Sequence, residues 1–308
     1  MIAALVQSPN RSQPRMVVGL GEALWDLLPG GKQIGGAPLN FAYISLLLGG
    51  RAAIASRIGT DGLGRELERE LSQRGIEVRY LQRDPSLPTG TAKVMLSADG
   101  QPSYEIGRPV AWDAMEATLD WKELARQADA VCFGTLALRS EQSRKAVASF
   151  LGATRPQCVR IFDVNLRPPY YSRDVIFESI HLATIVKFNE EELAEVSTML
   201  GLPIRVSPSD LRILTSRLGV ELICLTRGNR GSLLATPRQA AEHPSFPVQV
   251  VDTVGAGDAF AAAVAYCWGL DMGLEKISEV ANRWAGWVAS EHGAMPPIDE
   301  ALRCRMLP

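Results

Sequence analysis

At 308 residues, with 46% hydrophobic and 21% charged side chains, the chain has the proportions of a soluble globular protein, long enough for one large core or two modest ones without disulfide or metal staples. Its 32 basic and 34 acidic residues leave a formal charge of −2 and a pI near 6.0, which argues against a surface that neutralises phosphate backbones. The longest apolar stretches, such as Ala259 to Leu270, fall well short of the roughly 20 residues of a membrane span, so neither nucleic acid nor membrane is an expected partner.

In chain order, Met1 to Val6 is apolar but has no basic start and gives way at once to the polar stretch Gln7 to Arg15, so no targeting signal is expected and the protein is expected in the cytoplasm. The sequon Asn10-Arg11-Ser12 would meet no glycosylation there. The chain then alternates. Met16 to Leu20, Ala52 to Ile58, Ala130 to Phe133, Val159 to Val164, Thr184 to Phe188 and Glu221 to Thr226 are short β-branched or continuously apolar runs that predict buried strands. Pro38 to Leu48, Gly62 to Arg74, Ser140 to Leu151, Glu190 to Leu200 and Ser209 to Leu218 carry helical spacing. Strands alternating with helices predict an α/β fold, a doubly wound, mainly parallel sheet flanked by helices.

One region breaks the alternation. Val78 to Gln82, Thr89 to Leu96 and Gln101 to Ile106 read as strands separated by Asp84-Pro85, Leu87-Pro88 and Ala98-Asp99-Gly100, which predicts a small antiparallel sheet projecting from the body. The Gly-rich segment Leu27 to Ile34 is not helical and adds a strand or loop to it. The expected organisation is one α/β domain over 1–308 with a small β-sheet subdomain made from segments near 27–36 and 78–108. Cys132, Cys158, Cys224, Cys267 and Cys304 are scattered, and most sit in apolar runs, so they read as buried small hydrophobes. His181, His243 and His292 lack metal-ligand spacing.

The strongest chemical signal is Asp252-Thr253-Val254-Gly255-Ala256-Gly257-Asp258-Ala259-Phe260, set between the extended run Pro247 to Val251 and the Ala-rich helical stretch Ala259 to Leu270. A Gly-Ala-Gly turn opening a helix aims free backbone N–H groups and the positive end of the helix dipole at one point, which attracts an anion. A carboxylate inside such an anion hole competes with a bound phosphate unless its task is to take a proton. Asp258 therefore reads as a general base beside a transferring phosphoryl group, with a plain helix-capping role as the alternative.

These residues bring out a resemblance that covers nearly the whole chain. Gly35-Gly36-Ala37-Pro38-Leu39-Asn40, then Leu48-Gly49-Gly50 and Ile58-Gly59-Thr60-Asp61-Gly62-Leu63-Gly64, together with Asp252 to Phe260, resemble the two signatures of the ribokinase-like carbohydrate kinases of the phosphofructokinase-B type. The resemblance implies a doubly wound sheet with a β-sheet lid over a sugar, ATP as phosphoryl donor with Mg²⁺, and an aspartate base, here Asp258, in an anion hole made by Gly255, Ala256 and Gly257. By the same resemblance Asp26, Gly35, Gly36, Asn40, Tyr104 and Arg167 would contact the sugar. Asn40 suits vicinal hydroxyls because an amide both donates and accepts. Asp163-Val164-Asn165-Leu166-Arg167 resembles the D-x-N-x-R element of fructokinase-like members, and Asn189 with Glu192 the N-x-x-E element that organises Mg²⁺, water and phosphate, an acidic first helical turn being the alternative.

On the nucleotide side the resemblance implies Lys187, Asn189, Thr226, Gly228, Gly231, Gly257 and Asn282, with the turn Glu291 to Ala294 near the adenine. Asp252 would belong to a monovalent-cation loop, with K⁺ as the ion. Gly19-Leu20-Gly21 imitates a dinucleotide fingerprint, but Leu24 stands at its third glycine position. Fructose is the first-choice sugar and a homodimer through the lid the expected assembly. A 2-keto-3-deoxygluconate kinase, kept open by Arg108, a ribose or nucleoside kinase and a catalytically silent sugar-binding regulator are the alternatives.

Overall fold

A computed structural model describes residues 15–28, 30–96, 102–202 and 204–308. The chain opens with β1 (Met16–Leu20), β2 (Leu24–Leu28), β3 (Gly31–Gly35), α1 (Ala37–Leu47), β4 (Arg51–Gly59), α2 (Gly62–Gln73) and β5 (Leu81–Asp84). It continues with β6 (Gly90–Leu96), β7 (Pro102–Ile106), α3 (Leu119–Gln127), β8 (Ala130–Gly134), α4 (Glu141–Gly152), β9 (Val159–Asp163), α5 (Arg173–Leu182), β10 (Ile185–Asn189) and α6 (Glu190–Met199). The last part holds α7 (Pro208–Leu218), β11 (Leu222–Thr226), β12 (Ser232–Ala235), β13 (Ala240–His243), α8 (Ala256–Gly269), α9 (Leu274–Ala289) and α10 (Glu300–Met306).

The main sheet runs β13-β12-β11-β10-β9-β8-β1-β4-β5. It is parallel from β11 through β5, and β12 and β13 add an antiparallel edge. Strand alternation divides the core between its two faces. Val18, Val131, Phe133, Phe162 and Phe188 pack with Trp121, Phe150, Ile176 and Leu211 on one side. Val17, Cys132, Ile161, Ile185 and Cys224 pack with Phe41, Phe260, Val264 and Trp284 on the other. A parallel sheet covered on both faces needs apolar residues of either parity, which is why β1 and β8 are buried at every position. Short polar caps start the covering helices: Asp61 on α2, Ser140 on α4, Ser172 on α5 and Ser207 on α7 each accept a first-turn amide.

A second sheet, β3-β2-β6-β7, roofs the carboxyl ends of the main strands. It is mixed, not purely antiparallel as expected: β2 pairs parallel with β6, while β3 and β7 pair antiparallel on the outside. The strand expected over 78–82 lies at 81–84 and joins the main sheet beside β4, because Leu81 and Asp84 are buried there and Asp84 is held by Arg57 and by the amides of Ser86 and Leu87. The run 247–251 forms no strand; its valines are exposed and β13 takes the sheet edge instead. The leader 1–6, the sequon 10–12 and the turn 98–100 lie outside the described residues. Four of the five cysteines are buried and Cys304 is exposed; all five are free thiols.

Candidate functional site

Glu22 just after β1, Asp163 at the end of β9, Asn189 at the end of β10 and Thr226 at the end of β11 converge with the N-terminus of α8 on a polar cavity of about 360 Å³. Leu24 and Asp26 of β2, Ala92 of β6 and Ile106 of β7 close it from the roof. It continues into an apolar lobe of about 460 Å³ walled by Phe246, Val248, Val250, Phe260, Ala285 and Ala289. Asn189, Thr226, Thr253 and Gly257 line both lobes, so the two meet at the start of α8. Carboxyl ends of parallel strands are where α/β sheets bind ligands, and here they supply all the floor groups named above.

Asp258 sits in the first turn of α8, whose N-cap Gly255 has φ +81° and leaves no room for a methyl, since a Cβ there would lie 2.4 Å from Ala294 Cβ. Its Oδ2 accepts a hydrogen bond of 2.8 Å from Asn40 Nδ2. Burial pushes the Asp258 carboxyl up to about 7 and the Asp163 charge adds to this, while the Asn40 bond, Lys187 and Arg167 pull the other way. Asp26 is raised to about 6 by burial, with Arg167 opposing. The Ala256 amide donates to the Thr253 carbonyl at 3.3 Å, so of the three amides expected to form the anion hole it is already engaged. The amides of Gly257 and Asp258 belong to the first helical turn, where N–H groups lack intrahelical acceptors.

Lys187 is buried against Asp163, with Nζ at 2.9 and 3.0 Å from the two carboxylate oxygens and side chains only 8% and 2% exposed. Burial opposes its charge, but Asp163 and Glu192 outweigh that and hold it protonated beyond the ordinary lysine range. Its Nζ lies 3.1 Å from where a Cβ at Gly257 would be, so the absence of a side chain there opens a gap between an ammonium and a helix N-terminus. Asn189 and Glu192 form a reciprocal capping box on α6, and the second Glu192 oxygen accepts the Leu166 amide at 3.1 Å. Both residues also line the polar lobe.

Of the other expected residues, Gly36, Asn40, Arg167, Gly255 and Gly257 line the polar lobe, and Arg167 is electrostatically coupled to Glu22, Asp26 and Asp258. Gly35 faces the Asp26 carboxylate within the β2–β3 pair, where a Cβ would meet Oδ2 at 2.2 Å, and does not line the cavity. Tyr104 lies on β7 opposite Val94, and its side chain is outside the described part. Gly228, Gly231 and Asn282 line the apolar lobe, though the Asn282 amide is spent on Ser232 Oγ and the Ser278 carbonyl, both at 2.7 Å. Asp252 lines neither lobe; its two oxygens accept the amides of Val254 and Gly293, at 2.9 and 3.1 Å. The turn 291–294 likewise lines neither lobe but backs Gly255 through Ala294.

Sequence reasoning missed Glu22, which lines the polar lobe at 2% exposure, and the Asp163–Lys187 pair. The pair carried a signal, because Lys187 and Asp163 are direct neighbours in the β9–β10 register, and two opposite charges in adjacent buried strands require each other.

Comparison with known proteins places the chain among kinases. The pattern of the pfkB family of carbohydrate kinases matches residues 30–301. A sugar kinase of Pyrococcus horikoshii is 30% identical over 312 residues, covering 94% of this chain and 95% of the relative. Its crystal structure with ATP superposes with a TM-score of 0.75 at 30% identity over 91% of this chain and 94% of that one. A fructokinase of Salmonella typhimurium is 32% identical over 258 residues, 80% of this chain and 81% of the relative. An aminoimidazole riboside kinase from the same species is 29% identical over 298 residues, 91% and 90% of the two chains.

Proposed function

The chain belongs to the pfkB family of carbohydrate kinases, and on that footing we propose that it transfers the γ-phosphate of ATP to a hydroxyl of fructose, with Asp258 as general base. The observation that carries the reading is the position of Asp258: a half-buried carboxyl with a raised pKa, at a helix N-terminus, where a polar lobe meets an apolar one. The polar lobe suits a polyol, since Asp26, Asn40, Asp163, Asn165 and Arg167 all line it. The apolar lobe suits a purine. The shared junction, with Lys187 and the first-turn amides of α8, suits the phosphates between them.

In this mechanism Asp258 accepts the proton of the sugar hydroxyl as the hydroxyl oxygen bonds to the γ-phosphorus of ATP and the bond from that phosphorus to the bridging oxygen breaks, releasing ADP. Asn40 orients the Asp258 carboxylate through the bond to Oδ2. The amides of Gly257 and Asp258, fixed in the helix, stabilise charge growing on the transferred group without reorganising during the reaction. Lys187 stays protonated through Asp163 and adds positive potential at the same point. Asn189 and Glu192 would hold Mg²⁺ or its water ligands; Glu192 spends one lone pair per oxygen on an amide and keeps the others. Mg²⁺ supplies neutralisation of phosphate charge when bound. Among the described residues no group of three His, Cys, Asp or Glu side chains is placed to hold a metal ion. The loop tied together by Asp252, Val254 and Gly293 is the proposed seat of a monovalent cation.

Fructose is favoured by the Salmonella fructokinase among the relatives. The riboside kinase of similar identity supports a second reading, a riboside as acceptor, and Arg108 beside the roof keeps an acid sugar in the panel. A silent regulator is disfavoured because the base and its helix N-terminus are both intact. The roof sheet acts as a lid in this reading, two chains pair through it, and the enzyme works in the cytoplasm. Among the described residues no helix is long and apolar enough to cross a membrane. Coupled ADP-release assays with fructose, ribose, 2-keto-3-deoxygluconate and aminoimidazole riboside test the proposal. Fructose is expected to give the highest kcat/KM; preference for another sugar corrects the substrate, and no turnover of any of them defeats the kinase reading.

A further inference from the structure

Glu22 follows β1 and is 2% exposed, yet its side chain lines the polar lobe. Its own backbone amide and that of Ala37, the first residue of α1, face the carboxyl and favour its ionised form. Its Oε2 has no hydrogen-bond partner among the described residues and is closed off from bulk water. One other side-chain atom lining this lobe is in the same state, Oδ1 of Asn40, whose amide nitrogen is committed to Asp258. Two buried, unpartnered oxygens on residues that line one cavity are a demand for hydrogen-bonding groups that the described residues do not supply.

The charged groups acting on Glu22 are Asp258 and Arg167. Burial raises its carboxyl to about 7, Asp258 adds to this, and its own amide, Arg167 and the Ala37 amide pull back. Near neutral pH both forms are accessible. A protonated Oε2 donates and an ionised one accepts, and a hydroxyl satisfies either.

We propose that Glu22 is a sugar-recognition residue, whose Oε2 hydrogen-bonds a substrate hydroxyl other than the one phosphorylated and so fixes which hydroxyl faces Asp258. The inference rests on the sugar-kinase reading and deepens it, since it adds to Asp26, Asn40 and Arg167 a contact that the family resemblance does not assign.

The test is a set of double-mutant cycles between protein and ligand. Calorimetry selects the tightest binder among fructose, ribose, 2-keto-3-deoxygluconate and aminoimidazole riboside, and each single-deoxy analogue of that binder is titrated into wild type, Glu22→Ala and Glu22→Gln. For one analogue, wild type is expected to lose about 10- to 100-fold in affinity, as for a hydrogen bond to a charged group. In Glu22→Ala the same deletion is expected to cost nothing further, and in Glu22→Gln an intermediate amount. If Glu22→Ala does not fold, Glu22→Gln carries the test, with a reduced penalty at that one hydroxyl and unchanged penalties at the rest. Equal penalties in wild type and variants at every hydroxyl would overturn the assignment and leave the kinase reading standing. Failure of wild type to bind any of the sugars would overturn both.

Discussion

Asp258 carries the proposed chemistry because burial, with the Asp163 charge, holds it near the edge of ionisation. Asp258→Asn keeps the bond to Asn40 feasible but removes the proton acceptor, so kcat should fall by about 10²- to 10⁴-fold while sugar affinity changes little. Near-normal turnover in that variant would remove Asp258 from the role. The base must be ionised to act, so kcat/KM should rise with pH and level off above about 7. Asp163 raises Asp258 and Lys187 lowers it, and Asp163→Asn both deletes the first influence and unpairs the second. Its pH profile should therefore break at lower pH than that of wild type, at a stability cost of about 3–5 kcal/mol for opening a buried ion pair. A break that stayed in place or moved up would contradict this account of the electrostatics.

The start of α8 is the element on which the site depends. Gly255 combines φ +81° with a 2.4 Å approach to Ala294, so Gly255→Ala should cost roughly 2–4 kcal/mol and move the first-turn amides away from the junction. Thermal melts and ATP titrations of that variant check both effects, and wild-type values for both would contradict the geometry. Gly286 on α9 lines the apolar lobe, and a Cβ there would make only ordinary van der Waals contact with Val248 and Phe246, at 3.6 and 3.9 Å, so Gly286→Leu should project into that lobe and raise KM for ATP while sparing KM for the sugar. The helix start was legible because Gly-Ala-Gly-Asp ahead of an Ala-rich run suits a turn that opens a helix, even though the run 247–251 before it forms no strand. The destination of the edge strands was less so. Residues 81–84 and 240–243 are short and mixed in polarity, and their partners are chosen by long-range packing that no local period records.

At the scale of the molecule, the parallel sheet was readable from continuous apolar runs such as Val17-Val18 and Ala130-Val131-Cys132-Phe133, because burial on both faces leaves no other composition for the strands. Glu22 stayed hidden because a glutamate after a glycine carries no pattern, and only the assembled cavity shows that its Oε2 is stranded. Glu22, Asp26 and Asp258 together give the ligand-free protein a pH dependence. Each is a weaker acid folded than unfolded, so the native state binds more protons between the ordinary carboxylate range and about 7, and stability falls as pH rises through that window. Ligand-free protein should thus melt at higher temperature at pH 5.5 than at pH 8, and Glu22→Gln should narrow the difference by stabilising the protein at pH 8. A melting temperature that climbed with pH would contradict the burial of these acids.

The roof sheet is threaded, not appended: the chain passes between the two sheets after β1, after β3, after β5 and after β7. The roof is thus tied to the body by four separate crossings and not by a single hinge. No single cut-out of consecutive residues removes it, and no ribosome completes it before residue 106 has emerged, long after β1 and β4 are available to pair.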